Sequence, residues 1–171
     1  MLQARRISIY ILLFVVGGVF AIALGRASQL IVFQNREKIA MPKTFNQMVA
    51  EALAEVPMIK PAEAYQMMQT DPNALVVDVR DPADIAVTGI IPGAINVTLG
   101  TLTYKADHEV PPEWRDPHFQ DFSRPIITTC ETGEMAALAG KLLKDMGYTD
   151  VHILEGATVA WKEAGLPIEE P

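Results

Sequence analysis

The sequence has a single cysteine and a deficit of positive charge. Its 171 residues include 14 Lys and Arg against 21 Asp and Glu, so the formal net charge is −7. One cysteine excludes an internal disulfide and a metal site built from several thiolates. The acidic balance argues against nucleic acid as a partner, because phosphate binding requires a basic face. Half of the residues are hydrophobic, which excludes intrinsic disorder, and the length suits one domain with a short appendage.

The N-terminal region lacks charge altogether between Ile7 and Gly25. A helix of that length is roughly 28 Å long, close to the thickness of the hydrocarbon core of a bilayer. We therefore predict a transmembrane anchor over residues 1–26. A cleaved signal peptide is the alternative, because Gly25-Arg26-Ala27 resembles a cleavage site, although the apolar cores of signal peptides are shorter.

The anchor predicts a single-pass membrane protein. The count of positive charges on the two sides of the span does not decide its orientation. A short basic N-terminus before a long apolar run favours a soluble domain on the periplasmic or outer side. Within the span, Gly17, Ala21 and Gly25 are spaced four apart, and small residues on one helix face let a helix of a membrane-protein partner approach closely. Their abundance in membrane helices in general explains the pattern equally well.

Residues 27–56 are predicted to form a juxtamembrane linker followed by an amphipathic helix. Thr44 and Gln47 have the spacing of a capping box. Apolar residues follow at helical spacing; they are Phe45, Met48, Val49, Ala52, Leu53 and Val56. The pattern does not say whether the domain, a partner or a lipid surface covers this stripe.

Residues 57–171 alternate between short apolar runs and helical segments, which indicates an α/β domain with a mainly parallel sheet flanked by helices. Strands are predicted at 74–79, 94–97, 125–129 and 151–154, with a short extra one at 58–59. Helices are predicted at 61–68, 82–86, 135–146 and 158–164. Trp161 lies on an apolar helix face and is predicted to be a core residue.

Cys130, the only cysteine, lies between a predicted strand and the helix that follows it. Open α/β sheets bind ligands at this edge. Free amides at the start of the helix, together with the helix dipole, would favour a thiolate. Position alone does not separate this reactive role from that of an inert buried thiol.

Five motifs in order resemble the single-domain rhodanese (thiosulfate sulfurtransferase-like) family. They are Val77-Asp78-Val79-Arg80, Ile91-Pro92-Gly93-Ala94-Ile95-Asn96-Val97, Cys130-x-x-Gly133, Lys144-Asp145-Met146-Gly147-Tyr148, and Leu154-Glu155-Gly156 before Ala160-Trp161. The resemblance implies a five-stranded sheet and a catalytic Cys130. This cysteine would take sulfane sulfur from a small donor and pass it to a thiol or another nucleophilic acceptor, without a cofactor.

The resemblance also implies an active loop whose backbone amides surround the sulfur. The loop residues are Glu131, Thr132, Gly133, Glu134, Met135 and Ala136. Asp78 and Arg80 match a charged pair near this loop, and we interpret them as an ion pair that supports it. No metal site is predicted, because His108, His118 and His152 are far apart without an i, i+4 pair, and Cys130 has no thiol neighbour.

The loop departs from the family pattern in its charge. Many active rhodaneses carry an arginine at the position of Met135, and related phosphatases carry one at the position of Ala136, so the sequence argues against phosphatase chemistry. Glu131 and Glu134 place carboxylates beside the thiol, which disfavours a dianionic donor such as thiosulfate.

Two functions follow from these features. The first is a membrane-anchored sulfurtransferase that uses a persulfide on Cys130. The alternative is a catalytically weak rhodanese-fold binding module that serves as an anchored subunit of a membrane complex.

The acidic, irregular segment 107–117 is predicted to lie beside the active loop, where it would gate access or contact a partner.

Overall fold

A parallel five-stranded sheet lies at the centre of the domain, and the computed structural model describes residues 42–170. The strands are β1 (Met58–Ile59), β2 (Leu75–Asp78), β3 (Ile95–Asn96), β4 (Ile126–Thr129) and β5 (Val151–Leu154). Their order is β1-β5-β4-β2-β3, and every neighbouring pair is parallel. Every residue of the two central strands β2 and β4 is buried, as continuous apolar runs predict. The α/β fold with a five-stranded parallel sheet is confirmed.

Helices cover both faces of this sheet. They are α1 (Phe45–Glu55), α2 (Pro61–Thr70), α3 (Pro82–Thr88), α4 (Leu99–Lys105), α5 (Glu134–Asp145) and α6 (Ala157–Glu163), with 3₁₀ turns at Pro112–Trp114 and Pro117–Phe119. Four helices begin and end within two residues of the predicted bounds, the usual spread at helix termini. The sequence reasoning missed α4, whose Gly and Thr residues are weak helix formers. The fully buried Leu102 stabilises α4 instead.

The amphipathic helix α1 packs against the same core as the sheet. Both hydrogen bonds of the predicted capping box are present: the Thr44 amide donates to Gln47 Oε1 at 2.8 Å, and the Gln47 amide donates to Thr44 Oγ1 at 3.3 Å. Val49, Ala52 and Val56 are buried in the core. The domain therefore covers part of the apolar stripe, and Thr44 begins the compact unit that includes the rest of the described residues.

Two apolar clusters lie on opposite faces of the sheet. One joins α1, α4 and α5 to the sheet and includes Cys130. The other joins α2 and α6 to the sheet around Trp161, which is 1% exposed. The Trp161 indole N–H donates to the Pro167 carbonyl at 2.7 Å. Trp161 is a core residue, as predicted.

The predicted anchor at residues 1–26, with Gly17, Ala21 and Gly25, lies outside the described residues. Across residues 42–170, none of the helices is both long enough and apolar enough to cross a bilayer.

Candidate active site

The carboxyl ends of β2 and β4 bring the predicted site residues together. Asp78 and Thr129 are register partners at the ends of these two strands, and Cys130 follows Thr129 directly. Asn96 stabilises the same edge, because its side-chain amide donates to the carbonyls of Asp78 and Arg80, each at 2.9 Å. The chain therefore places Cys130 at the carboxyl-terminal ends of the strands, where α/β folds bind ligands.

The Cys130 sulfur accepts a hydrogen bond from the backbone of its own loop. The Gly133 amide donates to Sγ at 3.1 Å, and Gly133 is the N-terminal cap of α5. Its φ of +119° is one that side-chain-bearing residues rarely adopt, so glycine at this position allows the amide to face the sulfur. The amide and the positive end of the α5 dipole both favour a thiolate.

Thr158 holds the backbone of Cys130 from the opposite side. The Cys130 carbonyl accepts hydrogen bonds from the Thr158 hydroxyl at 2.6 Å and from the Thr158 amide at 3.1 Å. The next amide of α6, that of Val159, donates to the Glu131 carbonyl at 3.2 Å. The sequence reasoning missed Thr158, which is fully buried. Its position three residues before Trp161, on the apolar face of a predicted helix, was a weak signal of a buried hydrogen bond.

Arg80 connects the active loop to the sheet and to α3. Its Nε donates to both Asp78 carboxylate oxygens, and its Nη2 donates to Asp78 Oδ2 at 2.6 Å and to the Gly89 carbonyl at 2.9 Å. Its Nη1 donates to Thr88 Oγ1 at 2.7 Å and to Glu131 Oε2 at 2.8 Å. All five guanidinium N–H groups are therefore engaged by protein acceptors.

These contacts also set the charge state of Arg80. Burial alone would lower the pKa of Arg80, but the hydrogen bonds and charges of Asp78 and Glu131 outweigh burial and raise the pKa above its ordinary value. Arg80 therefore stays cationic. Because it is shared between two carboxylates, it compensates only one of the two negative charges.

Glu134 adds a further negative charge at the start of α5. The Thr132 hydroxyl donates to Glu134 Oε2 at 2.6 Å. This hydrogen bond, together with one from the Glu134 backbone amide, lowers the pKa of the Glu134 carboxyl. Glu134 is therefore ionised near neutral pH, and an acidic residue in the first helical turn is favoured by the helix dipole.

A cleft with a volume of about 390 Å³ opens at Cys130. Its lining residues are Arg80, Asp84, Val87, Thr88, Cys130, Glu131, Thr132, Glu134 and Met135. Three further predicted residues are close to the cleft but do not line it. Asp78 is fully buried behind Arg80, Gly133 contributes its amide, and the Ala136 side chain is buried in the core.

The wall formed by α3 was not predicted. This helix contributes Asp84, Val87 and Thr88 to the lining of the cleft. The sequence reasoning predicted the helix but gave it no part in the site. The prediction that residues 107–117 lie beside the active loop is wrong. His108 of this segment packs against Tyr148, just beyond the C-terminal end of α5, whereas the active loop precedes the N-terminal end of that helix, and the segment contributes no residue to the cleft lining. Phe119, which follows the segment, is buried instead, and its carbonyl accepts a hydrogen bond from the Tyr148 hydroxyl at 2.8 Å.

The histidines are engaged in local contacts. His118 Nδ1 lies 2.7 Å from Asp116, and His152 Nε2 lies 2.8 Å from Asp150. His108 Nε2 lies 2.6 Å from the Phe119 carbonyl. In the part of the chain that the structure describes, no three His, Cys, Asp or Glu side chains are grouped to hold a metal ion.

Comparison with known proteins finds a family model and similar chains. The family model described as "Rhodanese-like domain" matches residues 60–164. A sulfurtransferase of Allochromatium vinosum is 30% identical over 106 residues, which span 62% of this chain and 88% of that protein.

Two solved structures share the fold over a longer stretch. A protein of unknown function from Rhodopseudomonas palustris, described as a possible tyrosine phosphatase, is 33% identical with a TM-score of 0.68 over 76% of this chain and 100% of its own. The polysulfide-sulfur transferase homodimer of Wolinella succinogenes is 29% identical with a TM-score of 0.60 over 74% of this chain and 88% of its own. Both alignments extend over more of this chain than the family model does.

Proposed function

The chain belongs to the rhodanese-like family, and from that premise we propose that it transfers sulfane sulfur through a persulfide on Cys130. The observation that carries this proposal is the position of Sγ, which accepts the Gly133 amide at 3.1 Å and lines an open cleft. A thiolate is the attacking species in sulfur transfer. The loop amide favours the charged form of the sulfur before and after transfer.

In the first step, the Cys130 thiolate attacks the outer sulfur of a donor of the form R–S–SH. A bond forms between Sγ and that sulfur, while the bond between the two donor sulfurs breaks. The electron pair of the broken bond leaves on the thiolate R–S⁻, and the proton stays on the transferred sulfur. The enzyme then carries Cys–S–SH, so atoms and charge balance.

In the second step, an acceptor thiolate attacks the outer sulfur of this persulfide. The acceptor becomes a persulfide, and Cys130 leaves as a thiolate that accepts the Gly133 amide again. The hydrogen bond from the Thr158 hydroxyl to the Cys130 carbonyl keeps the sulfur at the same place in both steps. This fixed position lowers the cost of orienting the reacting atoms.

The single cysteine makes the test unambiguous. After incubation with a persulfide donor, the intact mass should rise by about 32 Da, the mass of one sulfur atom, and cyanide should release it as thiocyanate. Cys130→Ser is expected to remain unmodified, and an exposed variant away from the cleft, Glu163→Gln, should behave as wild type. A Cys130→Ser protein that yields thiocyanate as fast as wild type would contradict the proposal.

Phosphoryl transfer, which the R. palustris description suggests for that protein, receives less support. A phosphatase needs a cation with free N–H donors for the phosphoryl oxygens. Arg80, the one cation that lines the cleft, has every guanidinium N–H engaged, and Ala136 stands where related phosphatases carry an arginine.

We further propose that residues 1–26 anchor the enzyme in a membrane, with its domain on the periplasmic or outer side. The support is the uncharged run from Ile7 to Gly25. The full chain should stay in the pellet after carbonate extraction, and Val15→Arg with Val19→Arg should release it. Protection of the domain from protease added to spheroplasts, in which the periplasmic side is accessible, would contradict the proposed side.

A catalytically weak binding module is the second candidate, and the acidic lining of the cleft favours it. In this case the small residues Gly17, Ala21 and Gly25 dock the anchor against a membrane-protein partner. Replacing Gly17 and Ala21 by Leu should reduce co-purified partners, whereas Cys130→Ser should leave both the complex and its activity unchanged. Loss of the complex's activity in Cys130→Ser would contradict this candidate.

A further inference from the structure

The cleft at Cys130 is acidic in spite of the guanidinium that lines it. Three carboxylates line it, those of Asp84, Glu131 and Glu134, and the Asp78 carboxylate lies directly behind Arg80. Among the lining residues, one cation against three carboxylates leaves a formal net charge of −2. Behind the lining, the charge of Asp78 is matched by that of Lys162, whose ammonium donates to the Thr88 carbonyl at 2.6 Å. The ionised state of Glu134 is reinforced by the Thr132 hydroxyl, which lowers the pKa of that carboxyl.

Arg80 cannot offset this charge by binding an anion. Its five N–H groups donate to Asp78, Thr88, Gly89 and Glu131. An anionic donor that approached Arg80 would have to displace one of these acceptors, two of which are themselves carboxylates. The backbone of Glu131 is also held in place, because its carbonyl accepts a hydrogen bond from the Val159 amide at 3.2 Å.

Apolar side chains from two elements complete the cleft. Val87 of α3 is 80% exposed and Met135 of α5 is 37% exposed, and both line the cleft with Cys130. Covering exposed apolar side chains at the mouth of a pocket with a carbon skeleton removes apolar surface from water and so favours binding. An inorganic donor has no such skeleton and leaves them in water.

We propose that the sulfur donor of this cleft is a persulfide on an organic group that is uncharged or cationic, and that Asp84 and Glu134 select against anionic donors. This inference rests on the proposed sulfur transfer and names the substrate class for it. The three carboxylates attract a cationic group and repel an anionic one. The apolar pair Val87 and Met135 takes the carbon chain, while the outer sulfur reaches Sγ beside the Gly133 amide.

The reaction keeps the balance already described. The Cys130 thiolate bonds to the outer sulfur of R–S–SH, the bond between the donor sulfurs breaks, and R–S⁻ leaves with the electron pair. When R carries an ammonium group, this leaving thiolate is part of a zwitterion. It is then repelled less by Glu131 and Glu134 than a leaving group that carries its own carboxylate.

The experiment uses the full chain and a charge series of donors. Aminoethyl, hydroxyethyl and carboxyethyl persulfides share the same reacting sulfurs and differ by one unit of charge at each step. Persulfide formation on Cys130 is followed by intact mass in a single turnover. Each rate is divided by the rate of the same donor with N-acetylcysteinamide, a neutral thiol, and thiosulfate serves as the inorganic dianion.

The normalised rate should fall from aminoethyl to carboxyethyl by about tenfold, which corresponds to about 1.4 kcal/mol, and thiosulfate should be slowest. In Asp84→Asn with Glu134→Gln, the ratio of the normalised aminoethyl rate to the normalised carboxyethyl rate should be below about threefold. Salt at about 1 M should lower the same ratio in wild type. The matched control, Glu109→Gln with Glu163→Gln, removes the same charge outside the cleft and should keep the wild-type ratio.

The outcomes separate the two proposals. If no donor changes the mass of Cys130, the proposed sulfur transfer fails. If the donors react but their normalised rates are equal, or the anionic donor is fastest, sulfur transfer stands and the donor inference is overturned. The inference is also overturned if the cleft double variant keeps the wild-type ratio, or if the control double variant loses it.

Discussion

Arg80→Met would leave the carboxylate of Asp78 buried without its cation. Asp78 is 0% exposed and receives three guanidinium contacts, at 3.0, 3.1 and 2.6 Å. After the substitution, the described contact that remains at this carboxylate is the Arg80 backbone amide, which donates to Oδ1 at 3.1 Å. The Gly89 carbonyl would lose a donor as well.

The expected cost follows from the burial of this pair. Removing one partner of a buried ion pair costs about 3–5 kcal/mol, because the other charge stays desolvated and uncompensated. The contact of Arg80 with Glu131 is different, since the Glu131 side chain is 46% exposed. Glu131→Gln should therefore cost less than about 1 kcal/mol.

Urea unfolding followed by tryptophan fluorescence measures both variants, because Trp161 is buried and becomes exposed on unfolding, whereas Trp114 is already 58% exposed. The free energy of unfolding of such a domain is about 5–15 kcal/mol, so the loss expected in Arg80→Met is large enough to unfold a domain at the lower end of this range. Asp78→Asn with Arg80→Met removes the orphaned charge and should recover about 2 kcal/mol of the loss. A loss below about 1 kcal/mol in Arg80→Met, or a double variant no more stable than the single one, would refute this reasoning.

Three further outcomes are expected. Burial raises the pKa of Tyr148 to about 12, whereas an unfolded tyrosine titrates near 10. The contribution of Tyr148 to stability is therefore retained below pH 10 and should fall by roughly 2–3 kcal/mol as the pH rises to about 12; in urea titrations, Tyr148→Phe should make the loss of stability over this range smaller by that amount. Gly133 has a φ of +119°, so Gly133→Ala should lower the free energy of unfolding by about 1–2 kcal/mol. It should also slow persulfide formation, followed by intact mass, and an unchanged rate would contradict the role of the Gly133 amide. A Cβ on Gly89 would meet the Glu169 carbonyl at 2.6 Å, whereas a Cβ on Gly93, which has nearly the same φ (+77° against +79°), would meet no atom within 4 Å. Gly89→Ala should therefore lower the free energy of unfolding by about 1–3 kcal/mol more than Gly93→Ala does, and equal effects of the two would contradict the packing argument.

Local patterns predicted most of the fold. Continuous apolar runs identified the interior strands β2 and β4, because a strand buried on both faces has no polar side to show. The capping box at Thr44 and Gln47 marked the start of α1 correctly, because it depends on residues three apart. The helix α4 escaped prediction because burial of Leu102 stabilises it, and burial is not a local property.

The candidate site was predictable in its position and only partly in its contacts. The place of Cys130 between a strand and a helix follows from the sequence around it. The partners of that site do not, since Arg80 and Glu131 are 51 residues apart, and Thr158 is 28 residues from Cys130. The misplaced segment 107–117 shows the same limit, because acidity and irregularity do not say which surface a loop covers.

What the sequence determined by itself is the chemistry that the chain carries: one thiol, a glycine three residues later, and glutamates on both sides of that glycine. Only the tertiary structure decided how those charges act. It engages every N–H of Arg80 within the protein and adds the α3 wall with Asp84 and Val87. The physical reason is that electrostatics and packing act through distances in space, and the folded sheet brings remote residues within hydrogen-bond reach of one another.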